Sequence, residues 1–136
     1  PATRIINSTA ELLTINDEFT YPIVVKGKYY DASIAYNVDQ AITIFNKISH
    51  KWGLPILIQQ FVYGSEYNVI ALGDGKGNTI GAVPMRKQFI TDKGKAWAGI
   101  AIDEQNLLEM ARKVIAETKW RGCFELELMK TNQNEY

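Results

Sequence analysis

Two carboxylates on one predicted strand are the first residues in this sequence that could do chemistry. Side chains of a strand alternate between its two faces, so Glu125 and Glu127 share one face of the segment Phe124–Leu128, and Phe124, Leu126 and Leu128 share the other. Two carboxylates this close repel each other unless water, a base or a cation lies between them. The pair indicates either the solvated face of a sheet or a divalent-metal site with the hard oxygen ligands that Mg²⁺ prefers. The segment alone favours the solvated face.

A lysine at the end of a predicted buried strand is the second candidate. Lys26 follows the β-branched run Ile23–Val25 and precedes Gly27. Its ammonium group can reach a phosphate as a point charge, or it can simply extend from an edge into water. The residues that follow match neither a P-loop nor the G-x-G-x-x-G fingerprint of dinucleotide-binding folds, so neither site is supported.

The segment Ile56–Val62 begins apolar and becomes polar at Gln59 and Gln60, with Gly64 and Glu66 beyond it. Backbone groups released at such a bend can bind the edge of an adenine, and a carboxylate just beyond can accept from ribose hydroxyls. The alternative is an ordinary strand followed by a hairpin.

Four cations near the end of a predicted hairpin could bind a phosphate or acyl-phosphate anion, or could belong to a solvated loop. They are Arg86, Lys87, Lys93 and Lys95. The histidine His50 lies at a predicted helix end, where it is expected to interact favourably with the helix dipole and not to be a catalyst. Cys123 is expected to be buried and inert.

Hydrophobic periodicity predicts the elements that carry these residues. Helices are expected after Ser8, in a capping box with Glu11 and through about Ile15, after Asn37, and after Asp103. The other expected elements are an extended lead-in at Pro1–Asn7; strands at Ile23–Lys26, Ala32–Tyr36, Ile56–Val62, Glu66–Leu72, Thr79–Gln88 and Cys123–Leu128; turns at Tyr63–Ser65, Asp74–Asn78 and Thr131–Asn134; a polar loop at Thr91–Lys95; and a strand starting at Glu135. This mixture predicts an α+β fold with antiparallel sheets backed by helices.

The composition limits the class of protein. The chain has 136 residues, enough for one domain with its own core, and its 15 basic residues balance 15 acidic ones. A net charge of zero gives no electrostatic basis for nucleic acid or an anionic membrane as the main partner. The single cysteine excludes an intramolecular disulfide, and no apolar run approaches the ~20 residues that span a bilayer. A cytoplasmic location is expected.

Four segments, taken in their order along the chain, resemble the ATP-grasp superfamily. They are Pro1-x-Thr3, Tyr21-Pro22-Ile23-Val24-Val25-Lys26, Ile58-Gln59-Gln60-Phe61-Val62-x-Gly64-x-Glu66-Tyr67 and Trp120-Arg121-Gly122-x-Phe124-Glu125-Leu126-Glu127. The sequence is most similar to the branch that includes carbamoyl-phosphate synthase and other carboxylate–amine ligases, over essentially its whole length. The resemblance implies two α+β subdomains that hold a nucleotide between them. A lead-in and helix would occupy residues 1–17, the smaller subdomain 18–60 and the larger one 61–136.

The resemblance also implies a role for each matching residue, with ATP and Mg²⁺ as cofactors. Lys26 would contact the α- and β-phosphates, Glu66 would bind the ribose hydroxyls, and Glu125 would be the first carboxylate ligand of Mg²⁺. Arg86 would face the transferred phosphoryl group, and Glu127 would be a neighbour that tunes the site. Four consecutive residues would bind the adenine: Gln59, Gln60, Phe61 and Val62.

The sequence departs from the family pattern at three places. The loop Gly27–Ala32 is short and aromatic where the family has a glycine-rich loop over the phosphates, and Gln60 stands where glutamate is common. The family's second metal carboxylate follows the position of Tyr136, and its acceptor-binding domain precedes Pro1. We therefore expect a piece trimmed at both ends, with no ligase turnover of its own.

The expected function is to bind ATP and Mg²⁺ within an ADP-forming ligase. Such a ligase activates a small-molecule carboxylate as an acyl phosphate and couples it to an amine or a similar nucleophile. Two alternatives stay open: an ATP-grasp kinase that phosphorylates an alcohol, and a nucleotide-independent α+β interaction module. Neither the acceptor nor the oligomeric state follows from these residues.

Overall fold

The computed structural model describes residues 1–90 and 96–136. They form two compact units, Pro1–Val62 and Tyr63–Tyr136. Each unit contains a four-stranded antiparallel sheet, backed by helices in the first unit and by a helix in the second, so the prediction of antiparallel sheets backed by helices is confirmed. The predicted loop at Thr91–Lys95, with Lys93 and Lys95, lies outside the described residues.

The first unit has its strands in the order β1-β4-β2-β3. Its elements are β1 (Thr3–Ile6), α1 (Thr9–Leu12), a 3-10 turn (Ile15–Asp17), β2 (Ile23–Gly27), β3 (Ala32–Ala35), α2 (Val38–Trp52) and β4 (Ile56–Gln60). One face of the sheet and the inner sides of the helices form a buried apolar core: Ile6, Leu12, Ile15, Phe19, Ile23, Val25, Ala35, Ala41, Phe45, Ile48, Ile56 and Ile58. Burial alternates along β2 and β4, so every second residue faces away from this core.

The predicted cap of the long helix α2 is confirmed. The Asn37 side chain accepts a hydrogen bond from the Gln40 backbone N–H at 2.9 Å, and the Gln40 side chain accepts one from the Tyr36 N–H at 2.9 Å. Gly53, at φ 75°, ends the helix in a backbone conformation that favours glycine.

The predicted capping box of α1 is only half formed. Glu11 reaches back and accepts from the Asn7 N–H at 3.0 Å, as expected of the acidic partner. The Ser8 hydroxyl, however, bonds to the Glu11 carboxylate at 3.1 Å and not to the helix backbone. The helix ends at Leu12, before the predicted Ile15, because a 3-10 turn takes over.

The second unit has its strands in the order β7-β6-β5-β8. Its elements are β5 (Gly64–Asp74), β6 (Thr79–Ile90), β7 (Ala96–Ala101), α3 (Gln105–Thr118) and β8 (Arg121–Thr131). Helix α3 packs on one face of the sheet around Val69, Ala71, Leu107, Ala111 and Ile115. The opposite face carries the residues that alternate with this core, Glu125 and Glu127 among them, and both are exposed.

Several local predictions are wrong, for reasons that lie outside their own segments. Pro1–Asn7 is more than a lead-in, because β1 pairs with β4. The turn predicted at Tyr63–Ser65 is instead the start of β5, where Gly64 pairs with Thr131. A Cβ on Gly64 would collide with the Lys130 carbonyl, so this glycine serves a close approach of strands.

The C-terminal half of the chain holds further corrections. Glu104, not Asp103, precedes the first turn of α3, and Asp103 accepts a hydrogen bond from the Gln105 side chain at 2.8 Å. No strand begins at Glu135, whose carbonyl closes a turn by accepting from the Thr131 N–H. Cys123 is exposed, because it alternates with the core-facing residues of β8. None of the helices in the described ranges is long and apolar enough to cross a membrane.

Candidate functional site

Lys26 lies in a chain of hydrogen bonds that crosses three strands of the first unit. Its ammonium group donates to the Gln59 side-chain oxygen at 2.7 Å, and the Gln59 amide donates to the Thr3 hydroxyl at 2.9 Å. Val25 and Ile58, their chain neighbours, are fully buried in the core. Strand alternation therefore puts Lys26 and Gln59 on the face of the sheet away from the core, with the ammonium group held in place.

The remaining residues predicted to bind adenine continue from Gln59 along the chain. Gln60, the last residue of β4, accepts from the Ala2 N–H through its side chain at 3.3 Å, and its own backbone N–H donates to the Ala2 carbonyl at 2.9 Å. Phe61 and Val62 follow the strand and are half-buried. Gln59 and Gln60 thus point to opposite faces of β4, and only Gln59 contacts Lys26.

The loop after Lys26 is fastened to the end of α2. Asp31, at φ 66°, accepts hydrogen bonds from Lys51 at 2.9 Å and from the Trp52 indole at 2.8 Å, and these bonds hold the pKa of Asp31 below its usual value. Tyr30 stacks at a tilt on Trp52 with ring centroids 5.4 Å apart. The short aromatic loop, which stands where the family has a glycine-rich one, is therefore held against the end of α2 by its own side chains.

A buried lysine occupies the open face of the second sheet. The Lys87 ammonium group lies 3.0 Å from a Glu66 oxygen and 2.9 Å from a Glu127 oxygen, and its side chain is 3% exposed. Burial by itself disfavours the charged form, but the hydrogen bonds to Glu127 and Glu66 outweigh it and raise the pKa of Lys87 above its usual value. Glu66 is thus part of an ion-pair network as well as a candidate ribose ligand.

Asn68 lies between these groups and Glu125. It is the one polar residue in the described chain that is buried as a whole, at 1% exposed, and its amide nitrogen donates to a Glu125 oxygen. Its side-chain oxygen is buried and has no hydrogen-bond partner among the described residues. Leaving such an oxygen unpaired costs about 1–3 kcal/mol, so the position calls for a physical explanation.

Arg86 is separated from this group by the pleat of the sheet. It pairs with Tyr67 across β5 and β6, whereas its neighbour Lys87 faces Glu66. Arg86 is exposed on the side of the sheet that carries α3, so the structure brings Lys87, and not Arg86, to the carboxylates. The role implied for Arg86 stays a prediction.

Sequence reasoning missed both Lys87 as a carboxylate partner and Asn68. Lys87 was grouped with Arg86 although adjacent strand residues point to opposite faces. Asn68 carried a usable signal, because it follows Glu66 by two residues in an alternating strand and must share its face. In the described part of the chain, no three His, Cys, Asp or Glu side chains come together as a metal cluster. Glu125 therefore has an amide, not a second carboxylate, as its direct partner.

Comparison with solved structures identifies the fold. No protein-family model and no curated protein sequence matches the chain. Among solved structures, the biotin carboxylase domain of Hydrogenobacter thermophilus 2-oxoglutarate carboxylase, in complex with MgADP, ADP and bicarbonate, superposes with a TM-score of 0.78 at 16% identity. N5-carboxyaminoimidazole synthase from Aspergillus clavatus, in complex with ADP and 5-aminoimidazole ribonucleotide, gives 0.76 at 17% identity. An ATP-grasp RimK domain protein from Sphaerobacter thermophilus gives 0.63 at 18% identity.

The match extends over nearly all of this chain but only part of the others. It covers 96%, 98% and 98% of this chain and 32%, 37% and 48% of the three structures, in the same order. The chain thus spans about a third to a half of the length of these structures. Because two helix-backed antiparallel sheets superpose over this span, the fold predicted from the four sequence segments is confirmed, and the chain has the ATP-grasp fold.

Proposed function

We propose that the chain binds ATP together with Mg²⁺, as the nucleotide-binding part of an ADP-forming ligase. Two of the solved structures that share its fold hold ADP, one of them as MgADP. The observation within the chain that carries the proposal is the Lys26–Gln59 hydrogen bond of 2.7 Å. It fixes a cation on an open sheet face, where a phosphate can reach it.

The first unit supplies the phosphate and adenine contacts in this proposal. Lys26 neutralises the α- and β-phosphates, and Gln59 orients its ammonium group by accepting one of its three hydrogens. Gln59 and Gln60 lie beside the adenine amino group, and Phe61 and Val62 offer backbone groups and an apolar wall to the ring. Because Gln60 is a neutral amide, its contact to adenine would use polar groups without a net charge.

The second unit supplies the ribose and metal contacts. Glu66 has one oxygen on Lys87, which leaves its other oxygen to accept from ribose hydroxyls. Glu125 is exposed and offers the hard carboxylate oxygen that suits Mg²⁺, while Glu127 shares Lys87 and so sets the local charge. Arg86 lies on the other face of the sheet from these carboxylates, so its proposed contact with the transferred phosphoryl group would be made from that face. These donor types fit a magnesium nucleotide.

The proposed reaction is attack of a small-molecule carboxylate on the γ-phosphorus, giving an acyl phosphate and ADP, after which an amine displaces phosphate. Bound Mg²⁺ supplies charge neutralisation on the phosphates. Lys26 adds a fixed positive charge at the phosphates, and its preorganised position means that no reorganisation is needed during transfer. We place this activity in the cytoplasm, where ATP and reduced cysteine are both present.

Calorimetric titration with a non-hydrolysable ATP analogue and Mg²⁺ tests the nucleotide site. We expect Lys26→Ala and Glu125→Ala each to weaken binding about tenfold to a hundredfold, since each removes a charge-assisted contact worth about 1.5–3 kcal/mol. Lys47→Ala and Glu109→Ala are matched controls, because both residues are exposed on helices. Absence of nucleotide binding to the wild-type chain would instead favour a nucleotide-independent interaction module. Binding that is unchanged in both test variants would contradict the roles proposed for Lys26 and Glu125.

A trapping experiment separates the ligase from a kinase of the same fold. Hydroxylamine converts an acyl phosphate to a hydroxamate but does not react with a phosphorylated alcohol. Because this chain alone is expected to have no turnover, a ligase that contains it is incubated with ATP, Mg²⁺ and a panel of carboxylates, and hydroxamate is measured by its iron complex. Hydroxamate formed by the chain alone would contradict that expectation. ATP turnover with an alcohol and without hydroxamate would establish the kinase.

A further inference from the structure

We infer that Asn68 is a direct oxygen ligand of a divalent cation that it shares with Glu125. The inference deepens the proposed function, since that cation is the one that accompanies the nucleotide. It assigns to β5 a metal contact that the resemblance does not contain.

The burial of Asn68 is the first reason. Val69 and Ala71, the buried β5 residues that pack with α3, are apolar, whereas Asn68 faces the open side and is nevertheless 1% exposed. The side chains around it bury a polar amide whose oxygen has no partner in the described chain. A buried amide that is half satisfied is typical of a site that is completed by something other than the protein.

The chemistry of the amide is the second reason. An asparagine oxygen is a hard neutral ligand of the kind that Mg²⁺ and Ca²⁺ take beside carboxylates. The amide nitrogen and oxygen exchange places on a half-turn of the side-chain amide. Asn68 can therefore donate its N–H to Glu125 without a cation, as it does here, and present its oxygen beside the same carboxylate when a cation binds.

The charge of the surface is the third reason. Among the described residues, Lys87 and Asn68 contact three carboxylates of this face, Glu66, Glu125 and Glu127, and the charges of this group leave two negative charges in excess. Lys87 is bonded to Glu66 and Glu127, and Glu125 is in no ion pair within the described residues. One of the two excess charges thus lies on the carboxylate that Asn68 contacts, and the excess of the whole group matches a divalent cation.

Substitution of Asn68 distinguishes a cation ligand from an amide that serves only the fold. Replacing Asn68 by leucine removes a buried unpaired oxygen, while Glu125 remains exposed to water. If the amide is kept for a cation, Asn68→Leu should raise the melting temperature and weaken cation binding together. If the amide serves only the fold, the variant should melt lower and leave cation binding unchanged.

The experiment measures binding of Mn²⁺, alone and with ADP, to the 136-residue chain by the loss of the free-ion electron paramagnetic resonance signal. We expect Asn68→Leu to weaken Mn²⁺ binding at least tenfold in both titrations, and Asn106→Leu, an exposed asparagine of α3, to leave it unchanged. Asn68→Asp adds a carboxylate beside Glu125 and should melt lower without a cation but gain more from added Mg²⁺ than the wild type.

The outcomes separate the inference from the proposed function. Equal Mn²⁺ affinity in the wild type and Asn68→Leu, or no Mn²⁺ binding to the wild type, overturns the ligand role of Asn68. Binding of ADP in the presence of EDTA is measured in parallel and tests the nucleotide site without the metal. A loss of Mn²⁺ affinity in Asn68→Leu with no ADP binding to the wild type supports the cation site and contradicts the nucleotide proposal.

Discussion

Lys87 and Glu127 are joined by a 2.9 Å ion pair although a whole strand lies between them. Lys87 is on β6 and Glu127 is on β8, so the lysine side chain crosses the central strand β5. There it forms a second ion pair, with Glu66 of β5, at 3.0 Å. Its 3% exposure shows that the ammonium group is enclosed by these partners. One residue thereby links three strands of the open face.

This link predicts a loss of stability at high pH. Because the pKa of Lys87 is raised in the folded protein, its charge stabilises the fold fully below the unfolded value of about 10.4, and the contribution is lost as the pH rises through the folded pKa. Urea unfolding between pH 7 and pH 11 should show Lys87→Gln less stable by about 1 kcal/mol at pH 7, with the difference from the wild type shrinking above pH ~10.5.

The control for this prediction is Lys113→Gln, since Lys113 is exposed on α3 and forms only a 3.9 Å pair with Glu117. It should follow the wild type at every pH. A difference between Lys87→Gln and the wild type that stays constant up to pH 11 would contradict the role of the Lys87 charge.

The glycine after Lys26 is required by a close approach. A Cβ on Gly27 would collide with the Tyr30 carbonyl and would press on the Ile48 side chain, 2.8 Å away. We expect Gly27→Ala to lower the free energy of unfolding by about 1–3 kcal/mol, because the backbone of the loop must move. Urea unfolding measures this, with Gly81→Ala as the matched strand glycine whose Cβ would meet open space.

Gly81→Ala should change stability by less than about 0.5 kcal/mol. Equal effects of the two alanine variants would mean that the contact with Tyr30 is relieved without cost. If nucleotide binding is measured on the same proteins, Gly27→Ala is also expected to weaken it, because it shifts the strand end that carries Lys26.

Asn37 and Ser8 both look like helix caps in sequence, but only Asn37 caps its helix with its side chain. Asn37 bonds to the backbone of its helix and Ser8 does not. Asn37→Ala should therefore destabilise the protein by about 1 kcal/mol, and Ser8→Ala by only a few tenths of that, since its hydroxyl contacts just the exposed Glu11 side chain. Thermal unfolding followed by circular dichroism measures both. A larger loss in Ser8→Ala than in Asn37→Ala would contradict the observed caps.

Local rules were sufficient wherever a residue's partner lies within a few positions. The Asn37 cap, the Asp74–Asn78 hairpin and the alternation that puts Glu125 and Glu127 on one face all follow from neighbouring residues. The four ordered segments were enough to predict the fold through their resemblance to the ATP-grasp superfamily, because they lie on strands of both sheets. Gly53 ends α2 for an equally local reason, its positive φ.

Contacts between distant strands decided the rest. Gly64 looks like a turn residue in sequence, but it opens an eleven-residue strand because β8 lies against it. The register of β5 with β6 and β8 determines that Asn68 is buried. It also determines that Lys87, and not Arg86, contacts Glu66 and Glu127.

The sequence by itself determined which side chains could do chemistry, since residue type and spacing along one strand or helix set their identity and their face. Only the tertiary structure decided which of them meet. Pairing between strands far apart in the chain fixes the register, and a shift of one residue would exchange the two faces of every strand. For this reason Lys26 contacts Gln59 and Glu125 contacts Asn68, whereas Arg86 lies on the other face of the sheet from Glu66 and Glu125.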